Sequence, residues 1–119
     1  MAKRKQRPPV REGDIVRFSI VIVNLDPTVG SEIRKMRPCV IVSPDEMNQH
    51  LRSVIVVPLT SQEKPYPTRV RVTTQTGPGY AVTEQIRTID KRRITKVVGK
   101  IRATEATQLR RVLRELLVD

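Results

Sequence analysis

Hydrophobic and polar positions alternate along most of this chain with the period of short β-strands. After Gly13-Asp14, Val16, Phe18, Ile20 and Ile22 alternate with Ile15, Arg17, Ser19 and Val21, and the run turns apolar on both faces as it nears Leu25. A polar loop over 26–37 follows, opened by Asp26-Pro27, with Gly30 able to take positive φ. Residues 40–42 predict a buried strand. Ser43 as N-cap, Pro44 at the first helical position and Asp45-Glu46 behind it predict a short helix ending near Leu51. Residues 53–59 predict a central strand, with Pro58 marking an edge or bulge at its end. Over 68–74, Val70 and Val72 face a core while Arg69 and Arg71 form a basic stripe on the other side. Gly77-Pro78-Gly79 reads as a turn, 80–86 as a strand sending Glu84 and Gln85 to opposite faces, and 96–101 as a last strand. Leu109, Val112, Leu113, Leu116 and Leu117 share one face of a closing helix that Thr104 can cap. The fold class is therefore mostly β with a C-terminal helix, a strongly curved antiparallel sheet of the small-barrel type.

Composition narrows the function. A chain of 119 residues is one domain, read as a basic disordered arm over 1–12 and a single domain over 13–119. No apolar run approaches the length that spans a bilayer and no signal peptide is visible, so a soluble cytoplasmic protein is expected. Lys and Arg number 23 against 12 Asp and Glu, a net charge of +11 that favours RNA, DNA or an acidic protein as partner. The single cysteine, Cys39, cannot form an internal disulfide and reads as a small core residue. The single histidine, His50, excludes a two-histidine ribonuclease, and no His/Cys/Asp/Glu cluster has metal-ligand spacing. Only Phe18, Tyr66 and Tyr80 are aromatic, which gives little support to a base-stacking sheet of the RNA-recognition-motif kind.

Three stretches carry candidate chemistry. Arg37 stands where the 26–37 loop becomes strand, fixed by Pro38 and by the burial of Val40 and Val42, and a fork-shaped guanidinium held there suits a phosphate or carboxylate. Thr60, Ser61 and Gln62 leave the 53–59 strand together, able either to bind phosphate oxygens and base edges or simply to close a turn. Glu84 and Gln85 are adjacent acceptors in an apolar setting.

The same stretches resemble a known family. LDPTVGSE followed by Arg37-Pro38, then PLTSQEKPYPTRV over 58–70 and EQIRTIDKRRI over 84–94, are similar to the MazF/PemK toxins, the ribonuclease halves of bacterial toxin–antitoxin pairs. The interval from Gly13-Asp14 to Leu25-Asp26-Pro27 is longer than the family's, through an extended strand or an extra turn. The resemblance implies an SH3-like small barrel of the MazF/PemK/CcdB type, a homodimer, and cleavage of single-stranded RNA by 2′-hydroxyl attack, with no metal and no cofactor. It assigns catalysis to Arg37 and Thr60, with Glu84 as candidate proton acceptor. RNA contact falls to Ser31, Glu32, Ser61, Gln62, Arg69 and Gln85, and an acidic antitoxin protein is the implied partner. Two other readings stay open at this point: a nucleic-acid-binding module without catalysis, and a gyrase-poisoning toxin of the same fold centred on the terminal helix.

Overall fold

A computed structural model of the chain describes residues 10–25 and 35–119. In order it comprises β1 (Ser19–Asn24), β2 (Met36–Ile41), α1 (Asp45–His50), β3 (Ser53–Thr60), β4 (Arg69–Thr74), β5 (Gly77–Val82), β6 (Arg87–Asp90), β7 (Ile94–Lys100) and α2 (Ala103–Leu117). The strands form one antiparallel sheet in the order β4-β5-β3-β2-β1-β7, with β6 also paired to β3. The sheet bends into a half-barrel because β3 has two partners along the same edge. Val54 and Val56 pair with Ile89 and Arg87 of β6, while Leu59 and Thr60 pair with Ala81 and Tyr80 of β5. Val57 and Pro58 lie between those partners. A proline there interrupts neither ladder on that edge, so Pro58 sits inside a buried strand instead of ending it.

Alternation along the strands sorts side chains into two cores. Ile20, Val40, Val57, Leu59, Val70, Val72 and Ala81 meet Ala106, Leu109 and Val112 of α2 on one face. Val21, Val23, Cys39, Ile41, Val54 and Val56 pack with Ile15, Ile89 and Ile94 on the other. This explains why the first strand is apolar on both sides.

Several boundaries differ from the sequence reading. The strand expected from Ile15 begins at Ser19, after a turn at Arg17-Phe18 in which Phe18 has φ 70°. The Phe18 ring lies between the guanidinium groups of Arg17 and Arg110, 5.1 and 4.9 Å from its centroid. Ser43 does not cap α1. It is buried, its hydroxyl donating to Asn48 Oδ1 and accepting from the Ile55 N–H, while Pro44 takes the N-cap position. The β4–β5 hairpin turns at Gln75-Thr76, one step before Gly77-Pro78-Gly79, with Gly77 at φ 118° where a side chain would be strained. Pro78 is tolerated in β5 because it lies beyond the part that pairs with β3. α2 begins at Ala103, so Thr104 is inside it. The cap comes from Glu105, whose carboxylate accepts the Arg102 N–H at 2.9 Å and ties the helix to β4 through the Thr73 N–H and hydroxyl, at 2.8 and 3.0 Å.

The docked part of the chain starts earlier than the 13–119 boundary. Val10 packs against the second core, and Glu12 pairs with Lys91 at 3.2 Å. Residues 1–9 of the expected arm lie outside the described residues. Among the described residues, no helix is long and apolar enough to cross a membrane.

Candidate active site

The second core ends in a cationic groove, and strand register explains why. Val23 is opposite Arg37, Val21 opposite Cys39, Cys39 opposite Pro58, and Val56 opposite Arg87. Opposed residues of a ladder share a face, so Arg37, Pro58 and Arg87 continue the face that Cys39 and Val56 bury further in. Leu25 and Lys35 extend it, joined by the Leu25 N–H bond to the Lys35 carbonyl at 2.8 Å. The groove holds about 480 Å³ and is lined by Leu25, Lys35, Arg37, Pro58, Gln85 and Arg87. Among the described residues, its wall therefore carries three cations, one amide and no carboxylate.

Arg37 stands exposed on β2 and Thr60 half-buried at the end of β3. The β2–β3 pairing ends at Cys39 opposite Pro58, and alternation puts Thr60 on the Pro58 side of β3, where it pairs with Tyr80 of β5 and stands outside the groove lining. The Thr60 hydroxyl accepts the Gln62 N–H at 3.2 Å, a turn-closing bond that leaves its own proton to donate. Ser61 and Gln62 are exposed in the segment leaving β3. Ser31 and Glu32 lie outside the described residues.

Glu84 and Gln85 stand on a 3-10 turn, Thr83–Gln85, where a strand was expected. The buried Thr83 hydroxyl donates to the Thr68 carbonyl at 2.5 Å and fastens this turn to the start of β4. Only Gln85 lines the groove. Glu84 is turned to Arg69, whose Nη2 donates to Oε2 at 2.9 Å, and it also accepts the Thr68 hydroxyl at 3.0 Å. The Arg69 hydrogen bonds hold the Glu84 carboxyl below the usual carboxylate range. This placement corrects two expectations. Glu84 is committed to an ion pair outside the groove lining, and the Arg69 guanidinium, its side chain 14% exposed, is committed to Glu84 and the Tyr66 ring instead of an open basic stripe. Arg71 alone of that pair is exposed.

Cys39 is fully buried beneath the groove. Burial pushes its thiol up to about 12, against the smaller downward pull of Arg37 and Arg87, so it remains protonated and is no nucleophile. His50 is exposed on α1, its Nδ1 2.7 Å from the Glu46 carbonyl oxygen. Among the described residues, no three of His, Cys, Asp and Glu stand together as metal ligands.

Lys35 and Arg87 are the groove residues that the sequence reading passed over. Arg87 is two positions after Gln85, but only its pairing with Val56 brings it to this face.

A small half-barrel with a cationic groove at the end of one core defines a basic, mostly β protein with a C-terminal helix. Its family is equally clear: a model described as PemK-like, MazF-like toxin of type II toxin-antitoxin system matches residues 16–117, and the chain belongs to that family. It is 41% identical over 102 residues to Endoribonuclease MazF9 of Mycobacterium tuberculosis, covering 77% of this chain and 86% of that protein. It is 37% identical over 70 residues to Endoribonuclease toxin MazF of Escherichia coli, covering 59% of this chain and 63% of that one. In fold it matches a mycobacterial endoribonuclease in complex with its cognate antitoxin. The TM-score is 0.74 at 22% identity, covering 86% of this chain and 93% of that one.

Proposed function

We propose that this endoribonuclease toxin cuts single-stranded RNA in the Arg37 groove by attack of a 2′-hydroxyl on the adjacent phosphate, leaving a 2′,3′-cyclic phosphate and a 5′-hydroxyl. The observation that carries this reading is the gathering of Arg37, Arg87 and Lys35 on one groove wall that has no carboxylate among the described residues. As the 2′ oxygen bonds to phosphorus and the bond to the 5′ oxygen breaks, negative charge grows on the equatorial phosphate oxygens. A fixed guanidinium stabilises that charge more than it stabilises the ground state. Arg37 fills this role, Thr60 donates its hydroxyl proton to a phosphate oxygen, and Arg87, Lys35 and Gln85 hold the flanking strand.

Glu84 supports the site from behind. A carboxylate held below its ordinary range by Arg69 is poorly matched to accepting a proton near neutral pH. Charge stabilisation therefore carries the acceleration, the 2′ proton passes to water, and the departing 5′ oxygen takes a proton from water to become the 5′-hydroxyl. The relatives' endoribonuclease names favour this reading over a binding module or a gyrase poison.

The partner is an acidic antitoxin segment laid along the same cationic groove, matched to a chain of net charge +11 in the cytoplasm where mRNA is found. A homodimer extends the groove across a two-fold axis. The test is to treat a mixed single-stranded RNA pool with purified protein in EDTA and sequence both new ends. Cyclic-phosphate and 5′-hydroxyl termini are expected. Cleavage abolished by EDTA, or 5′-phosphate ends, would overturn the mechanism.

A further inference from the structure

Tyr66 is an exposed aromatic tied through Arg69 and Glu84 to the turn that carries groove-lining Gln85. Of the three aromatic residues in the chain, Phe18 is buried and Tyr80 half-buried, whereas Tyr66 is 51% exposed. Pro65 and Pro67 flank it, restricting the backbone on both sides. The Arg69 guanidinium lies 5.1 Å from its ring centroid, and Arg69 is itself pinned at 2.9 Å by Glu84, the residue before groove-lining Gln85. One line of contacts thus runs from the ring through Arg69 and Glu84 to the groove wall.

A rigid aromatic with a cation at one face and solvent at its side matches what a splayed nucleobase needs. Stacking requires a fixed π-surface and little else, and it works on any base. We propose that Tyr66 is the stacking platform for a nucleobase flanking the scissile phosphate, with Arg69 and Glu84 as the residues that position it. The inference rests on the RNA-cleaving reading above and adds a base contact to what is otherwise a phosphate site.

Single-stranded RNA cleavage by wild type, Tyr66→Phe, Tyr66→Ala and Arg37→Ala tests it, with kcat and KM determined separately. Tyr66→Ala should raise KM about tenfold with kcat little changed, the size expected for one lost base stack. Tyr66→Phe, which keeps the ring, should behave as wild type. The chain has no tryptophan, so Tyr66→Trp gives a direct readout. Its emission should quench when an uncleavable 2′-O-methyl RNA of mixed sequence binds, and unchanged emission on saturation would overturn the proposal. An unchanged KM for Tyr66→Ala, in a protein that cleaves RNA and loses cleavage on Arg37→Ala, would sink the platform and leave the nuclease reading standing. A wild-type protein that cuts no RNA would remove both.

Discussion

Arg37 is exposed on a strand whose neighbouring positions are fixed by burial and pairing. Pro38 limits the backbone beside it, Cys39 and Val40 are fully buried, and Val23 of β1 lies opposite. Glu84 takes the complementary part, a carboxylate spent on holding another residue in place. Because its folded pKa is lowered, its contribution to stability is complete above the ordinary value of 4.5 and is lost as pH falls through the lowered folded value. Thermal melting of wild type and Glu84→Gln should therefore differ at pH 7 and converge at acid pH, while Glu84→Gln continues to cleave RNA. A gap that persists unchanged in acid, once the Glu84 carboxylate is protonated in the folded protein, would mean that the ion pair is not its cause. The place of Arg37 in the groove lining was legible in the sequence because it stands at the junction of an apolar strand and a polar loop, whereas Thr60, at a similar junction, stands outside that lining. Arg69 was misread because alternation gives the face on which a side chain starts and not the partner it finds. Alternation could not reveal that Glu84 reaches back to it across the Thr83–Gln85 turn.

Among the elements, β3 and α2 set the architecture. β3 runs through the middle of the sheet and exchanges β6 for β5 at Pro58, so one strand carries both the bend and the groove floor. α2 covers the opposite core. Leu109, fully buried on it, should cost about 2–5 kcal/mol when cut to alanine, seen as a lower urea midpoint with an unchanged slope. A loss under about 0.5 kcal/mol would mean that the helix is not packed as described. Glu105 joins the helix cap to β4, and Glu105→Ala should lower stability by about 1.5–3 kcal/mol through its charged hydrogen bonds, measured by the same titration. The amphipathic face of this helix was visible at a spacing of three and four. The hairpin at Gln75-Thr76 was not, because Gly77-Pro78-Gly79 has the composition of a turn while standing in a strand. Glycine and proline mark where the backbone is unusual, and here the unusual places are a positive φ at the first residue of β5 and a stretch of the same strand that pairs with β4 alone.

For the whole molecule, charge governs encounter and geometry governs chemistry. A net charge of +11 draws in any polyanion, so KM for RNA should rise steeply with salt, linearly in a log–log plot. kcat should respond far less, since in the proposed mechanism Arg37 acts on a phosphate already seated. An acidic antitoxin segment that lies in the groove should compete with RNA and lose affinity in the same way with salt. The small-barrel fold could be read from strand spacing and the terminal helix. The groove could not, because it forms only where five separate segments are brought together by pairing: 25, 35–37, 58, 85 and 87. The most direct test of the account is the single-turnover rate of RNA cleavage by Arg37→Ala beside wild type, with circular dichroism and melting run on both. The account predicts a fall of about 10²–10³ or more in the rate with fold and melting preserved. Cleavage at the wild-type rate by a folded Arg37→Ala protein would contradict it.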